Sequence, residues 1–76
     1  AAVRGPAAGI GASMALACDL IIASDTAYLL MAFKNVGIPP DGGAIYFLTQ
    51  HLGLARAKEI VYSARKLPAA EAKDMG

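Results

Sequence analysis

The chain has 76 residues, 57% hydrophobic and 17% charged, with a formal net charge of +1. A single cysteine, Cys18, and a single histidine, His51, rule out a disulfide framework or a zinc site built from this chain alone. No basic run exceeds Arg65-Lys66, and the longest uncharged stretch, Gly5 to Cys18, falls short of the roughly 18 residues a membrane span needs, so neither nucleic acid nor membrane is an expected partner. The apolar share is high against about 45–50% for a typical globular domain. A chain this short buries only about 60% of its unfolded surface, so the sequence reads as a segment of a larger domain. No leader with a charged start and an apolar core is visible, and the lone cysteine fits a reducing, cytoplasmic compartment.

Ala1 to Arg4 reads as the end of a buried strand, followed by a Gly/Pro-rich turn from Gly5 to Gly11. Ala12 to Cys18 is rich in Ala, Leu and Met and predicts a helix that Asp19 ends. Leu20 to Ala23 is a short β-branched run, predicted as a buried strand; Ser24-Asp25-Thr26 is a turn, and Ala27 to Met31 a further strand. Phe33 to Gly37 is a short irregular or helical piece. Ile38-Pro39-Pro40 is extended, because proline lacks an N–H and pushes its predecessor out of helical geometry. A helix follows over Gly42 to Leu52, with Ile45, Leu48 and Leu52 on one face, and Gly53 ends it. Leu54 to Ala64 is the next helix, with Leu54, Ala57, Val61 and Ala64 on one side. Pro68 suits the first turn of a last helix over Ala69 to Met75. The order is mixed α/β, with one βαβ unit near the start.

Two stretches have the residues for chemistry. The turn from Val3 through Gly11 leads into a helix, where unpaired N–H groups and the helix dipole favour negative charge. Such a turn either holds an anion or an oxygen that becomes one, or merely packs a helix on a sheet. Met14 stands where a dinucleotide fingerprint needs its third glycine, no Lys-Ser/Thr pair follows, and Ser13 lacks the flanks of a nucleophile elbow. The second stretch is Gly37-Ile38-Pro39-Pro40-Asp41-Gly42-Gly43. Asp41 is either a helix N-cap, a role that contributes about 1 kcal/mol, or a general base for a carbon-bound proton. The roles conflict, because capping stabilises the charged carboxylate and weakens it as a base.

Ala2 to Asp19 (AVRGPAAGIGASMALACD) resembles the AVNGxAxGxGxxLALACD signature of the enoyl-CoA hydratase/isomerase (crotonase) family. Val36 to Gly43 resembles its xGLxPDGG segment, and Gly53 to Glu59 with Ala69 to Ala72 resemble its GxARAxE and SAxEA helices, in the same order. The resemblance implies a crotonase-like (ClpP/crotonase) ββα superhelix, assembled as a homotrimer or a dimer of trimers. Residues 1–76 then form the central to C-terminal part of one core domain, without the N-terminal part of the core or the C-terminal helical region.

It further implies an acyl-CoA thioester as partner and substrate, an enolate stabilised by two backbone N–H groups, and no cofactor beyond the CoA carried by the substrate. By motif position one N–H belongs to Ile10, where the family often has glycine; the other falls before Ala1. Gly9, Gly11, Ser13 and Phe33 are the implied substrate contacts. Ser13 and Phe33 occupy the positions of the two glutamates that hydratases use, and neither side chain is an acid or base at neutral pH. Asp41 matches an aspartate that some isomerase members use to shuttle a proton, and Met31-Ala32-Phe33 resembles that branch. The expected activity is therefore enoyl-CoA isomerisation, with hydration or an inactive crotonase-fold subunit as the alternatives. No metal site is expected.

Overall fold

The computed structural model describes residues 1–76. In chain order the elements are β1 (Ala2–Val3), β2 (Pro6–Ala8), α1 (Ile10–Leu16), β3 (Ile22–Ala23), β4 (Tyr28–Leu30), a 3-10 helix (Ala32–Val36), α2 (Ala44–Leu52), α3 (Leu54–Ser63), β5 (Lys66–Pro68) and α4 (Ala69–Met75). The segment β1–β2 runs parallel to β3–β4 in two successive ladders: Ala2 pairs with Ile22 and Val3 with Ala23, then Pro6 with Tyr28, Ala7 with Leu29 and Ala8 with Leu30. β5 adds antiparallel to β4, with Leu29 opposite Leu67. The break between the ladders is bridged by Ser24, whose N–H donates to Val3 O at 2.9 Å and whose hydroxyl donates to Arg4 O at 2.8 Å.

Several sequence expectations are corrected here. Pro6 does not mark a turn. It opens β2 at the edge of its sheet, where a missing N–H breaks no ladder bond. Helix α1 accordingly starts at Ile10 rather than Ala12 and stops at Leu16. Only Ile22 and Ala23 of the expected Leu20–Ala23 strand pair, and within this chain the run is not buried: Leu20 is 79% and Ile22 76% exposed. β5 was not expected at all. Pro68 precedes α4 in extended geometry (φ −61°, ψ 151°) instead of lying inside its first turn.

The core gathers Ala7, Ala12, Leu16, Met31, Phe33, Ala44, Leu48, Ala57, Ile60 and Leu67. Alanines at Ala12, Ala44 and Ala57 let α1, α2 and α3 approach closely while Leu48, Ile60 and Leu67 fill the space between; burying each of these larger side chains contributes about 1.5–3 kcal/mol. Gly53 alone joins α2 to α3, at φ 76°, a backbone angle that side-chain-bearing residues rarely adopt. The inward face of α3 is Ala57 and Ile60, not Leu54, which is exposed. His51 Nε2 lies 3.1 Å from Leu16 O and ties the end of α2 to the end of α1. No helix is long and apolar enough to cross a membrane.

Arg65 closes the far end of the fold with two carboxylates. Its Nε is 2.8 Å from Glu59 of α3, and its Nη2 is 2.7 Å from Glu71 of α4. Hydrogen bonds from Arg65 hold both carboxyls below their ordinary value of 4.5. Groups lowered in this way stabilise the fold above the unfolded-state value and lose that contribution as pH falls through the folded one. Arg65→Gln is therefore expected to lower the melting midpoint slightly at neutral pH, with the gap to the natural protein closing as pH drops below about 4.5. Circular dichroism melts at pH 7 and pH 3 check this; an unchanged gap at pH 3 would exclude the ion pairs as its cause.

Candidate active site

Of the residues singled out from sequence, Ile10, Ser13 and the Asp41 loop meet where α1 faces the loop before α2, and Phe33 lies in the core. β2 ends at Ala8, and Gly9 N–H continues its ladder to Leu30 O at 2.9 Å. Gly9 then turns the chain at φ 54°, ψ −123°. No atom lies within 4 Å of a Cβ placed there, so the backbone angle, not space, demands glycine. Gly9 O accepts the N–H groups of Ala12 and Ser13. The N–H groups of Ile10 and Gly11 open the helix and have no acceptor within the chain. Ile10 N–H thus points out of the first turn of α1 with its donor free.

Ser13 lies one turn further along, on the same face as Ile10. It was expected to touch substrate, but the structure gives it another environment. Ser13 is 0% exposed, and its hydroxyl donates to Asp41 O at 2.8 Å, with Gly9 O a more distant acceptor at 3.4 Å. Phe33 is a buried member of the core cluster.

Asp41 is not the N-cap of α2. That position belongs to Gly43, in left-handed geometry and with no side-chain cap. The physical reason is the Gly42-Gly43 pair: both residues take positive φ and insert a turn between the aspartate and the helix. Asp41 O accepts Ala44 N–H at 3.2 Å, and its side-chain Oδ1 accepts only the neighbouring Gly42 N–H, at 2.7 Å. The carboxylate is exposed and pairs with no cation, since the ion pairs of the chain are those of Arg65.

Gly42 completes the junction. A Cβ there would sit 2.4 Å from Ile10 Cδ1 and 3.0 Å from Ser13 Cβ. Gly42→Ala is expected to destabilise the protein by about 1–3 kcal/mol through its positive φ, on top of displacing the Ile10 side chain. A shift of the urea midpoint at constant m-value measures it, and an unchanged midpoint would show that the loop relaxes freely. Sequence reasoning missed both the Ser13–Asp41 bond and this close approach; the adjacent glycines were the one available signal.

A groove of about 720 Å³ lies elsewhere, lined by Leu20, Ile21, Leu48, Leu52, Leu67 and others; it includes neither Ile10 nor Asp41. A smaller open cleft of about 460 Å³ adjoins the Asp41 loop at Ile38 and Pro40. The groove of about 720 Å³ is walled mainly by apolar side chains with Asp19, Asp25 and His51 among them, whereas the Ile10–Ser13–Asp41 junction joins a free helix N–H to the loop of an exposed carboxylate and is the better candidate.

The family model for enoyl-CoA hydratase/isomerase matches residues 1–76, and the chain belongs to that family. A Bacillus subtilis (strain 168) protein named for the same family, YhaR, is 47% identical over 76 residues, covering 100% of this chain and 30% of that protein. A trans-2-decenoyl-acyl-carrier-protein isomerase of Streptococcus mutans serotype c is 39% identical over 72 residues, 95% of this chain and 27% of that protein. A Thermobifida fusca YX protein of the hydratase type, crystallised in complex with acetoacetyl-CoA, superposes with a TM-score of 0.93 at 43% identity over 97% of this chain and 29% of that one. The architecture is thus that of the crotonase fold, of which the chain spans about 30% of its relatives' length.

Proposed function

We propose that the protein is an acyl-CoA enzyme that moves a double bond by proton transfer, an enoyl-CoA isomerase. The Asp41 carboxylate takes a proton from C2 of a 3-enoyl thioester. The electron pair moves onto the thioester oxygen, which Ile10 N–H holds as a dienolate. Protonated Asp41 then returns the proton at C4, leaving the double bond between C2 and C3. This chemistry asks for a donor and a base, and CoA enters as part of the substrate.

The observation that carries the reading is the placement of one free carboxylate. Asp41 stands on a loop tied to the turn that bears the unpaired Ile10 N–H. The two positions where hydratases carry glutamate hold a buried serine and a buried phenylalanine, so nothing there activates water. The acetoacetyl-CoA complex and the Streptococcus isomerase support the substrate class and the reaction type. Assembly as a homotrimer or dimer of trimers in the cytoplasm belongs to the same proposal, supported by exposed Leu20, Ile22, Val36 and Leu54, which an interface would cover.

The test is a 3-enoyl-CoA incubated with the full-length protein in deuterated water and followed by NMR. A shifted double bond with deuterium in the acyl chain is expected. Addition of water to a 2-enoyl-CoA without any bond shift would replace the isomerase reading with hydration, and silence in both assays would favour an inactive subunit.

A further inference from the structure

We infer that Ser13 is a positioning residue for Asp41, an inference that rests on the isomerase reading. The Asp41 loop has little of its own to fix it. Pro39 and Pro40 precede the aspartate, and Gly42 and Gly43 follow it with positive φ. The carboxylate is tethered only by its neighbour's N–H. From α1, the helix that carries Ile10 N–H, a single hydrogen bond reaches the loop: Ser13 Oγ to Asp41 O, 2.8 Å, between residues 28 apart in the chain. The contact that Gly42 permits with Ile10 and Ser13 lies beside it. Ile10 and Ser13 share one face of α1, so this face sets the distance between the donor of the enolate oxygen and the base that moves the proton. A serine at this position thus gives the helix a way to place a carboxylate that belongs to another segment.

The role is separable from folding. Asp41 O keeps the Ala44 N–H as a donor when the hydroxyl is removed, so Ser13→Ala leaves no buried acceptor without a partner. A positioning role acts on the reaction through Asp41 and through nothing else, and a double-mutant cycle reads that directly.

The experiment compares the full-length protein with Ser13→Ala, Asp41→Asn and the double variant, measuring kcat and KM for a 3-enoyl-CoA. Ser13→Ala is expected to lower kcat about 10-fold while KM stays within about two-fold. In the Asp41→Asn background the same change is expected to alter the residual rate less than about two-fold. Ser13→Cys keeps the side-chain size with a weak donor and is expected to reproduce the pattern, which removes a packing void as the cause. Equal losses from Ser13→Ala with and without Asp41 would overturn the positioning role while leaving Asp41 as the base. A full rate in Asp41→Asn would overturn the isomerase mechanism, and the positioning role with it.

Discussion

Asp41→Asn is expected to slow isomerisation of a 3-enoyl-CoA by about 10²–10⁴-fold while leaving the unfolding midpoint nearly unchanged. The split follows from what the side chain touches. Its one hydrogen bond comes from Gly42 N–H at 2.7 Å, and the amide oxygen of asparagine accepts the same bond. Helix α2 is capped at Gly43, so the contribution of about 1 kcal/mol that an N-cap makes is not at stake. An amide cannot take a proton at neutral pH, so the chemical step loses its base while CoA binding keeps its contacts. Bond position and deuterium content by NMR give the rate, and urea denaturation gives the stability. A loss of stability beyond about 1 kcal/mol would return Asp41 to a structural role.

That expectation reverses part of what the residues alone argued. An aspartate after two prolines and ahead of a helical run has the pattern of a cap, and the pattern is blind to the turn that Gly42 and Gly43 insert. Elsewhere local chemistry was readable. Gly53 ends α2, the Leu54 helix follows at once, and the turn at Gly9 feeds α1, because each depends on neighbours in the chain. Strands β2 and β5 were not readable. Three residues show no periodicity, Pro6 imitates a breaker, and pairing with β4 comes from residues more than 20 positions away in one case and more than 30 in the other. The site divides along the same line. Motif order identified Ile10, Ser13 and Asp41, but that Ser13 spends its hydroxyl on Asp41 O, and that Ile10 packs over Gly42, are facts of tertiary contact.

The face of α2 provides the second large effect. Helical spacing puts Ile45, Leu48 and Leu52 on one side, yet the structure separates them: Leu48 is 1% exposed and Ile45 54%. Leu48 joins the cluster that includes Leu16, Ala57, Ile60 and Leu67, so it is the point where α2 is held to its neighbours. Leu48→Ala is expected to cost about 2–5 kcal/mol, the lost transfer energy plus a cavity that rigid neighbours refill only in part. Ile45→Ala is expected to stay within about 0.5 kcal/mol. Denaturant midpoints at equal m-value compare the two directly. The activity of Leu48→Ala carries a second prediction. Because α2 follows the Asp41 loop and packs on α1, which bears Ile10, loosening that contact is expected to reduce kcat even where the protein remains folded. Equal costs at the two positions would mean that Ile45 is covered as fully as Leu48 in the assembled protein. A cost below about 1 kcal/mol at Leu48 would place the anchor of the α1–α2 contact elsewhere in the core.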